Sequence, residues 1–431
     1  MIIEGTDEAD TLNGTVEDDV ISPGAGPDKV DAGLGSDRIE LSGNGSSAWD
    51  SLLEGGGGVD LLDATSVTKN LRVVSAGVPT FGYKVTQASG IEHFASGSGN
   101  DIFVLLPETA GLVVHAGSGF DVLIGGQGND TLDGGDGVDF GGYVEMYRHV
   151  TIKTVQNVAT VVSLSGGTDE LRDVEYVAFK DGIYMHEEGS MAAQVVRLYE
   201  AVLGRAPSAQ ELDKAANGIV AGQSLSALAD GLLGPDARVH VSDDQSASDY
   251  VDQLYAKILG RAPDDAGKAE WISRISGGMT NAEVLVGFVD SNEYRSISSA
   301  ATTDGLFITD QVAQSIAALY HAFAGRSPEQ AGFDHWLFAA KSGMALTDIA
   351  DSFAASPEFA QRTAGLSNSD LVDYMYATAL GREADQEGHN VWSRSLDNGL
   401  DRGDLIIGFA LSAEHLSRIA YDIHGGIDIL M

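Results

Sequence analysis

The sequence predicts a multidomain β + all-α chain: an N-terminal parallel β-roll (a β-helix solenoid) closed by a β cap, then C-terminal α-helical tandem repeats. Three observations carry this. A nine-residue beat of acid and aliphatic runs through the first third of the chain. Short apolar, alternating runs follow around residue 150. A second repeat, of helical periodicity and marked by Leu-Gly-Arg or a near variant, then occupies the rest.

The beat sets Asp10, Asp19, Asp28 and Asp37 nine residues apart, each followed two residues later by Leu12, Ile21, Val30 or Ile39. It returns as Asp121, Asp130 and Asp139, followed by Leu123, Leu132 and Gly141. The fullest copies are Gly125-Gly126-Gln127-Gly128-Asn129-Asp130 and Gly134-Gly135-Asp136-Gly137-Val138-Asp139, with others ending at Asp60, at Asp101 and, through Gly117 and Gly119, at Asp121. This is the nonapeptide G-G-x-G-x-D-x-(aliphatic)-x of calcium-binding β-helices. Glycines allow positive φ and tight loops that turn carbonyls inward. Calcium takes about six to eight oxygens, more than one loop supplies. Two nonapeptides make one coil, so Asp10 is expected to stack on Asp28, Asp19 on Asp37 and Asp121 on Asp139, about 4.8 Å apart. The expected metal residues are Asp10, Asp19, Asp28, Asp37, Asp60, Asp101, Asp121, Asp130 and Asp139, with Gly117, Gly119, Gly126, Gly128, Gly135 and Gly137. A flexible linker has no reason to keep an aliphatic in phase. The first repeats lack the leading glycine pair, which predicts weaker sites at Asp10 and Asp19.

On these motifs residues 5–142 resemble the RTX proteins, whose repeats form a parallel β-roll that folds on calcium. The resemblance implies export by a one-step type I system and a secreted or cell-surface location. The apolar, acidic tail Tyr421–Met431 is compatible with the C-terminal export signal of that system.

Composition agrees. The 431 residues carry a formal net charge of −39, no cysteine and no apolar run near the about 20 residues of a membrane span. Residues 1–145 hold 24 acidic and 5 basic side chains. Nucleic acid needs a basic footprint and is excluded as a partner. Abundant divalent cation suits the charge, and metal is the expected staple of the glycine-rich part. Met1–Asp7 has neither a basic flank nor an apolar core, so it does not read as a secretory leader.

The expected domains are a calcium-binding roll over 1–145, a β cap and linker over 146–190, and two helical repeat pairs over 191–303 and 304–431. In the cap, Val150–Val155 and Ala159–Leu164 read as strands, and Asp173–Gly182 as a strand with a turn. A solenoid needs such a cover over its open core. His186-Glu187-Glu188 echoes a zinc-protease motif, but Ser190 stands where the second His belongs, so it is rejected.

Beyond residue 190, Arg205, Arg261, Arg326 and Arg382 each end a Leu-Gly-Arg or Ala-Gly-Arg triplet. Tyr199, Tyr255, Tyr320 and Tyr376 lie six residues before; Gly267, Gly332 and Gly388 lie six after the last three, and Trp271, Trp336 and Trp392 ten after. Phe288, Phe353 and Phe409 follow, then Ser291, Ser356 and Ser412. The first copy has Ala215 and Leu232 in place of Trp and Phe. Each unit reads as about four helices: one ending at the Gly, one capped by Ser208 or Asp264, one capped by Thr280-Asn281-Ala282-Glu283 or its equivalent, and a short last one. Over 191–422 this pattern resembles the DUF4214 family, a helical module. Aromatics at this spacing are expected to be core, and the arginines to be structural.

An enzyme would show a constellation. There is no G-x-S-x-G, no H-E-x-x-H, no cysteine and no metal spacing among the ten His. The chain is therefore expected not to be an enzyme. It reads as a secreted calcium-binding surface or matrix protein, such as an adhesin, S-layer-like or biofilm component. Its helical repeats would bind surface polysaccharide or another copy of the chain. The alternative is an accessory module or non-catalytic subunit of an exported hydrolase or lyase assembly.

Overall fold

A computed structural model describes residues 1–42, 51–76, 78, 84–106, 111–155, 158–164, 167–185, 190–234, 237–239, 241, 245–298 and 305–430. The His186-Glu187-Glu188 echo and Met431 lie outside them. The chain falls into two compact units, one built on residues 1–180, the other on 188–302 and 306–431.

The first unit is two facing stacks of short parallel strands. One stack runs Ile2–Glu4, Val20–Ser22, Arg38–Glu40, Leu61–Ala64, His93–Ser96, Val113–His115, Thr131–Asp133 and Thr168–Arg172. The other runs Thr11–Thr15, Lys29–Gly33, Leu52–Glu54, Thr86–Ser89, Arg72–Ser75, Ile102–Val104, Val122–Ile124, Phe140–Gly142 and Tyr176–Phe179. The chain passes from stack to stack twice per coil, as in a β-roll. The aliphatic two residues after each aspartate points between the stacks: Ile21, Ile39 and Leu123 are completely buried, and Val30, Leu62 and Leu132 nearly so. Gly141, the exception to the aliphatic rule, leaves room for a neighbour. A Cβ there would stand 2.6 Å from Leu171, which fills the place instead.

Between Asp63 and Ser96, where the nonapeptides lapse, the second stack changes order. The chain goes ahead to Arg72–Ser75, then returns to place Thr86–Ser89 beside Leu52–Glu54. The roll also runs past the last nonapeptide. Thr168–Arg172 and Tyr176–Phe179 add parallel strands to the two stacks. Val150–Val155 and Val158–Ser163 then extend the first stack as an antiparallel pair.

In the second unit the helices start and stop where short-range chemistry dictates. Met191–Leu203 and Gln311–Ala324 end at Gly204 and Gly325, and the turn Tyr376–Leu380 ends at Gly381, all in the left-handed region with φ of 66 to 72°. Ser208 with Glu211 and Thr280 with Glu283 form capping boxes. Ser356 and Ser412 cap Pro357–Arg362 and Ala413–Arg418. Within each pair the third helices of the two units pack together: Leu225–Leu232 on Asn281–Val289, and Leu346–Ala354 on Arg402–Ala410. The second contact is close enough that a Cβ at Gly403 would meet the Asp351 carboxylate at 1.9 Å. The tail is part of this unit. Ile423 and Ile427 are buried, the Ile427 N–H donates to Asp181 Oδ2 (2.8 Å), and the Leu430 N–H donates to the Pro328 carbonyl (2.8 Å).

Candidate metal centre

Most turns between stacks end in an acidic residue whose carboxylate is folded under the coil; Ser51, Leu71 and Leu112 stand at other turn ends. Along one edge the Asp10 N–H donates to Asp28 Oδ1 (2.9 Å) and the Asp28 N–H to Ser51 Oγ (3.0 Å). Beyond the reordered strands, Leu71 donates to Asp101 (2.7 Å), Asp101 to Asp121 (2.6 Å), Asp121 to Asp139 (2.8 Å) and Asp139 to Glu175 (2.6 Å). Along the other edge Asp19 donates to Asp37 (2.7 Å), Asp37 to Asp60 (2.8 Å) and Asp60 to Glu92 (3.0 Å). Then Leu112 donates to Asp130 (2.8 Å), and Asp130 to Asp169 (2.9 Å). The stacked pairs expected from the nine-residue period, Asp10 with Asp28, Asp19 with Asp37 and Asp121 with Asp139, are thus brought together. Ser51, Glu92, Asp169 and Glu175 complete the ladders. They lack the nonapeptide and so carry no local signal. Two are glutamates, whose longer side chains reach the same N–H from a differently shaped turn.

Beyond Asp10 and Asp19, which begin the ladders, one oxygen of each aspartate is spent on the ladder; the fate of the other oxygen divides the sites. At Asp10 and Asp19 it accepts the N–H of Thr6 and Thr15 (both 2.6 Å), and at Asp130 that of Gly126 (2.8 Å). At Asp37, Asp60, Asp121 and Asp139 the second oxygen is buried and has no hydrogen-bond partner among the described residues. An ionised oxygen left this way is costly. Burial pushes the Asp121 carboxyl up to about 7 and that of Asp139 up to about 6, and it also raises Asp28, Asp37, Asp60, Asp101 and Asp130. Asp19 moves the other way, because the N-terminal ammonium bonds to it.

The glycine loops divide less sharply, since Gly24 and Gly26 before Asp28 also have positive φ. Gly33, Gly35, Gly56 and Gly58, which precede Asp37 and Asp60, all have positive φ, as do Gly117, Gly119, Gly135 and Gly137 before Asp121 and Asp139. Here the conformation and the space both demand glycine. A Cβ on Gly58 would lie 1.6 Å from the Gly35 carbonyl oxygen, and one on Gly137 1.7 Å from that of Gly119. Stacked loops therefore face each other through carbonyls, each with a second lone pair. Neither Gly126 nor Gly128 takes a positive φ. The most complete nonapeptide by sequence, ending at Asp130, has no nonapeptide beside it on its own edge. Its ladder neighbours are Leu112 and Asp169.

Among the described residues no three carboxylate or imidazole groups converge. The donor set is therefore mostly backbone carbonyl with one or two aspartates, all oxygen, which suits a hard cation such as calcium. The orphaned oxygens and inward carbonyls fit that ion at two places: between the loops ending at Asp37 and Asp60 on one edge, and between those ending at Asp121 and Asp139 on the other.

The second motif is satisfied within the protein. Arg261, Arg326 and Arg382 reach Glu293 (2.5 Å), Glu358 (3.0 Å) and Glu414 (2.5 Å), each 32 residues further on, and Arg205 reaches Glu211 (2.8 Å). Arg205 holds the Glu211 carboxyl down to about 2. The last three arginines also lie over Tyr255, Tyr320 and Tyr376. Each of these tyrosines sends its hydroxyl into the space left by Gly267, Gly332 or Gly388, where a Cβ would stand 2.0 to 2.4 Å away. Phe288, Phe353 and Phe409 are the buried centres. Trp271, Trp336 and Trp392 lie half-buried against them, with ring centroids 4.9 to 5.4 Å apart.

Family models match two parts of the chain. The RTX calcium-binding nonapeptide repeat matches residues 4–39 and 113–140, and a domain of unknown function, DUF4214, matches residues 229–297 and 350–419. No curated protein matches the chain. The chain thus carries RTX repeats, which are calcium-binding, followed by two DUF4214 copies. Asp60 and Asp101 lie outside the matched spans but on the same ladders. Each DUF4214 match starts in the third helix of one unit and ends in the last helix of the next, so it spans the third-helix contact. RTX repeats are typical of proteins exported by type I secretion. No described helix is long and apolar enough to cross a membrane.

Proposed function

We propose that this is a calcium-dependent protein of the cell surface or extracellular matrix, in which calcium orders the roll and the helical repeats engage a partner. The single observation that carries the reading is the set of four buried, partnerless carboxylate oxygens on Asp37, Asp60, Asp121 and Asp139. A cation there offsets a burial cost that nothing else among the described residues offsets. A ligand that binds only the ordered state stabilises it by mass action. The response range belongs to extracellular calcium, roughly 0.1 to 1 mM for modules of this class. The roll would act as a switch that stays loose where calcium is scarce. The paired arginines and buried aromatics of the helical unit support a scaffold rather than a catalytic centre. Circular dichroism of the intact chain tests the reading. The strand signal is expected to be weak in chelator and to rise with added calcium. Magnesium should replace it poorly, because it keeps its waters in a small octahedral shell. A strand signal unchanged in excess chelator sinks the proposal.

A further inference from the structure

A cleft of about 420 Å³ opens in the helical unit, within the size range of small-ligand sites. Gln210, Lys214 and Asn217 line it from one face of helix Ala209–Val220, at spacings of four and three. Gln311 and Gln314, from the start of Gln311–Ala324, and His424 close the other side. Among the described residues no carboxylate lines it. In a chain of net charge −39 that is unusual chemistry. Among the described residues Lys214 makes no ion pair, whereas the repeated arginines are all paired.

The wall is held from behind. Asp213, fully buried, accepts from the Thr309 N–H (2.8 Å) and from Gln314 Nε2 (2.9 Å), and its Oδ2 lies 2.5 Å from His424 Nδ1. Gln314 and His424 are thereby fixed before any ligand arrives, which lowers the ordering cost of binding. Carboxamides give one donor and one acceptor to each ligand hydroxyl pair, and Lys gives a point charge for an anion. Ala221, Leu416 and Ile423 supply an apolar strip beside them. Hydroxyls, one carboxylate and a C–H face are together the chemistry of a sugar acid. We infer that this cleft binds a hexuronate unit, with its carboxylate on Lys214 and its hydroxyls on Gln210, Asn217 and Gln311. The inference rests on the partner-binding part of the proposed function and names its ligand class and site.

The test is calorimetric titration of the calcium-loaded full chain with galacturonate, its trimer and galactose. Saturable binding of the uronates, at least tenfold tighter than galactose, is expected. Lys214→Met should weaken it at least tenfold while melting temperature and calcium midpoint stay in place, since Lys214 is exposed. Gln311→Ala, also at an exposed position, should weaken it several-fold. A trimer that binds more tightly than the monomer assigns the ligand to a polymer, and equal binding assigns it to a free sugar acid; both uphold the cleft. Asp121→Asn with Asp139→Asn should leave uronate binding intact, which separates the cleft from calcium-bridged capture by the roll. Absence of saturable uronate binding overturns the inference, as does binding that survives Lys214→Met or vanishes with the roll variant. The calcium response of the roll can stand in each of these cases.

Discussion

The two units treat their charges in opposite ways. In the helical unit each repeated arginine meets its glutamate at or near the surface, and the buried volume at the centre of the last three repeats is aromatic. In the roll, carboxylates are buried in two columns and four of their oxygens have no partner. The helical unit pairs its repeated cations within the fold; the roll, among the described residues, leaves these buried oxygens without a counter-charge. On the proposal above, the difference would set a part that is stable by itself beside a part whose order follows calcium.

Removing calcium should split the units most sharply. Melting in chelator is expected to abolish the strand transition of the roll and leave the helical transition within a few degrees of its calcium value. A helical transition that collapses with the roll would break the contrast. Next in size is the aromatic centre. Phe353 is buried and touches Tyr320, Phe323 and Trp336. Phe353→Ala should cost about 3 to 5 kcal/mol by denaturant melting of the helical signal, with or without calcium. Trp336→Ala, at a half-buried ring, should cost about 2 kcal/mol.

Within the roll, Asp139→Ala should raise the calcium midpoint several-fold, and Asp130→Ala or Asp10→Ala clearly less. Their second oxygens already accept N–H bonds, whereas that of Asp139 has none. Equal effects in a calcium titration would erase the division between the two kinds of loop. The smallest effect sharpens the comparison by pH. The folded carboxyls of Asp121 and Asp139, near 7 and 6, lie above ordinary aspartate, so the metal-free roll is most favoured below about pH 4 and loses that contribution as pH rises through 6 to 7. Calcium needs the ionised form. Between pH 8 and 5.5, acid should therefore strengthen residual order in chelator and weaken calcium affinity. The same sign in both conditions would refute the assignment of these oxygens to the metal.

Much of this was legible in the sequence. The nine-residue phase of acid and aliphatic gives the coil, its inward residues and the stacked aspartate pairs. Caps and terminal glycines give most helix boundaries. Three things were not legible, for physical reasons. Whether a glycine loop takes the carbonyl-in conformation depends on the loop beside it on the same edge, so the best nonapeptide, at Asp130, is in another state. Ser51, Glu92, Asp169 and Glu175 join the ladders from turns of other lengths, 23 to 39 residues from their donors. The glutamates at Glu293, Glu358 and Glu414 recur as regularly as the arginines. They pair across 32 residues, a distance at which sequence spacing alone does not imply contact.

The ladders also have a direction. Every rung is an N–H of one coil given to a carboxylate or hydroxyl that lies later in the chain, from 18 to 39 residues on. A coil cannot close its rung until downstream sequence is in place. Backbone bonds run the other way beside the rungs, from the Lys29, Arg38 and Phe140 N–H groups to the Asp10, Asp19 and Asp121 carbonyls, so each of these aspartates is tied to the next coil by one bond given and one received. Loss of one coil therefore breaks bonds on both of its faces, and damage at one loop reaches its two neighbours before it reaches the rest of the roll.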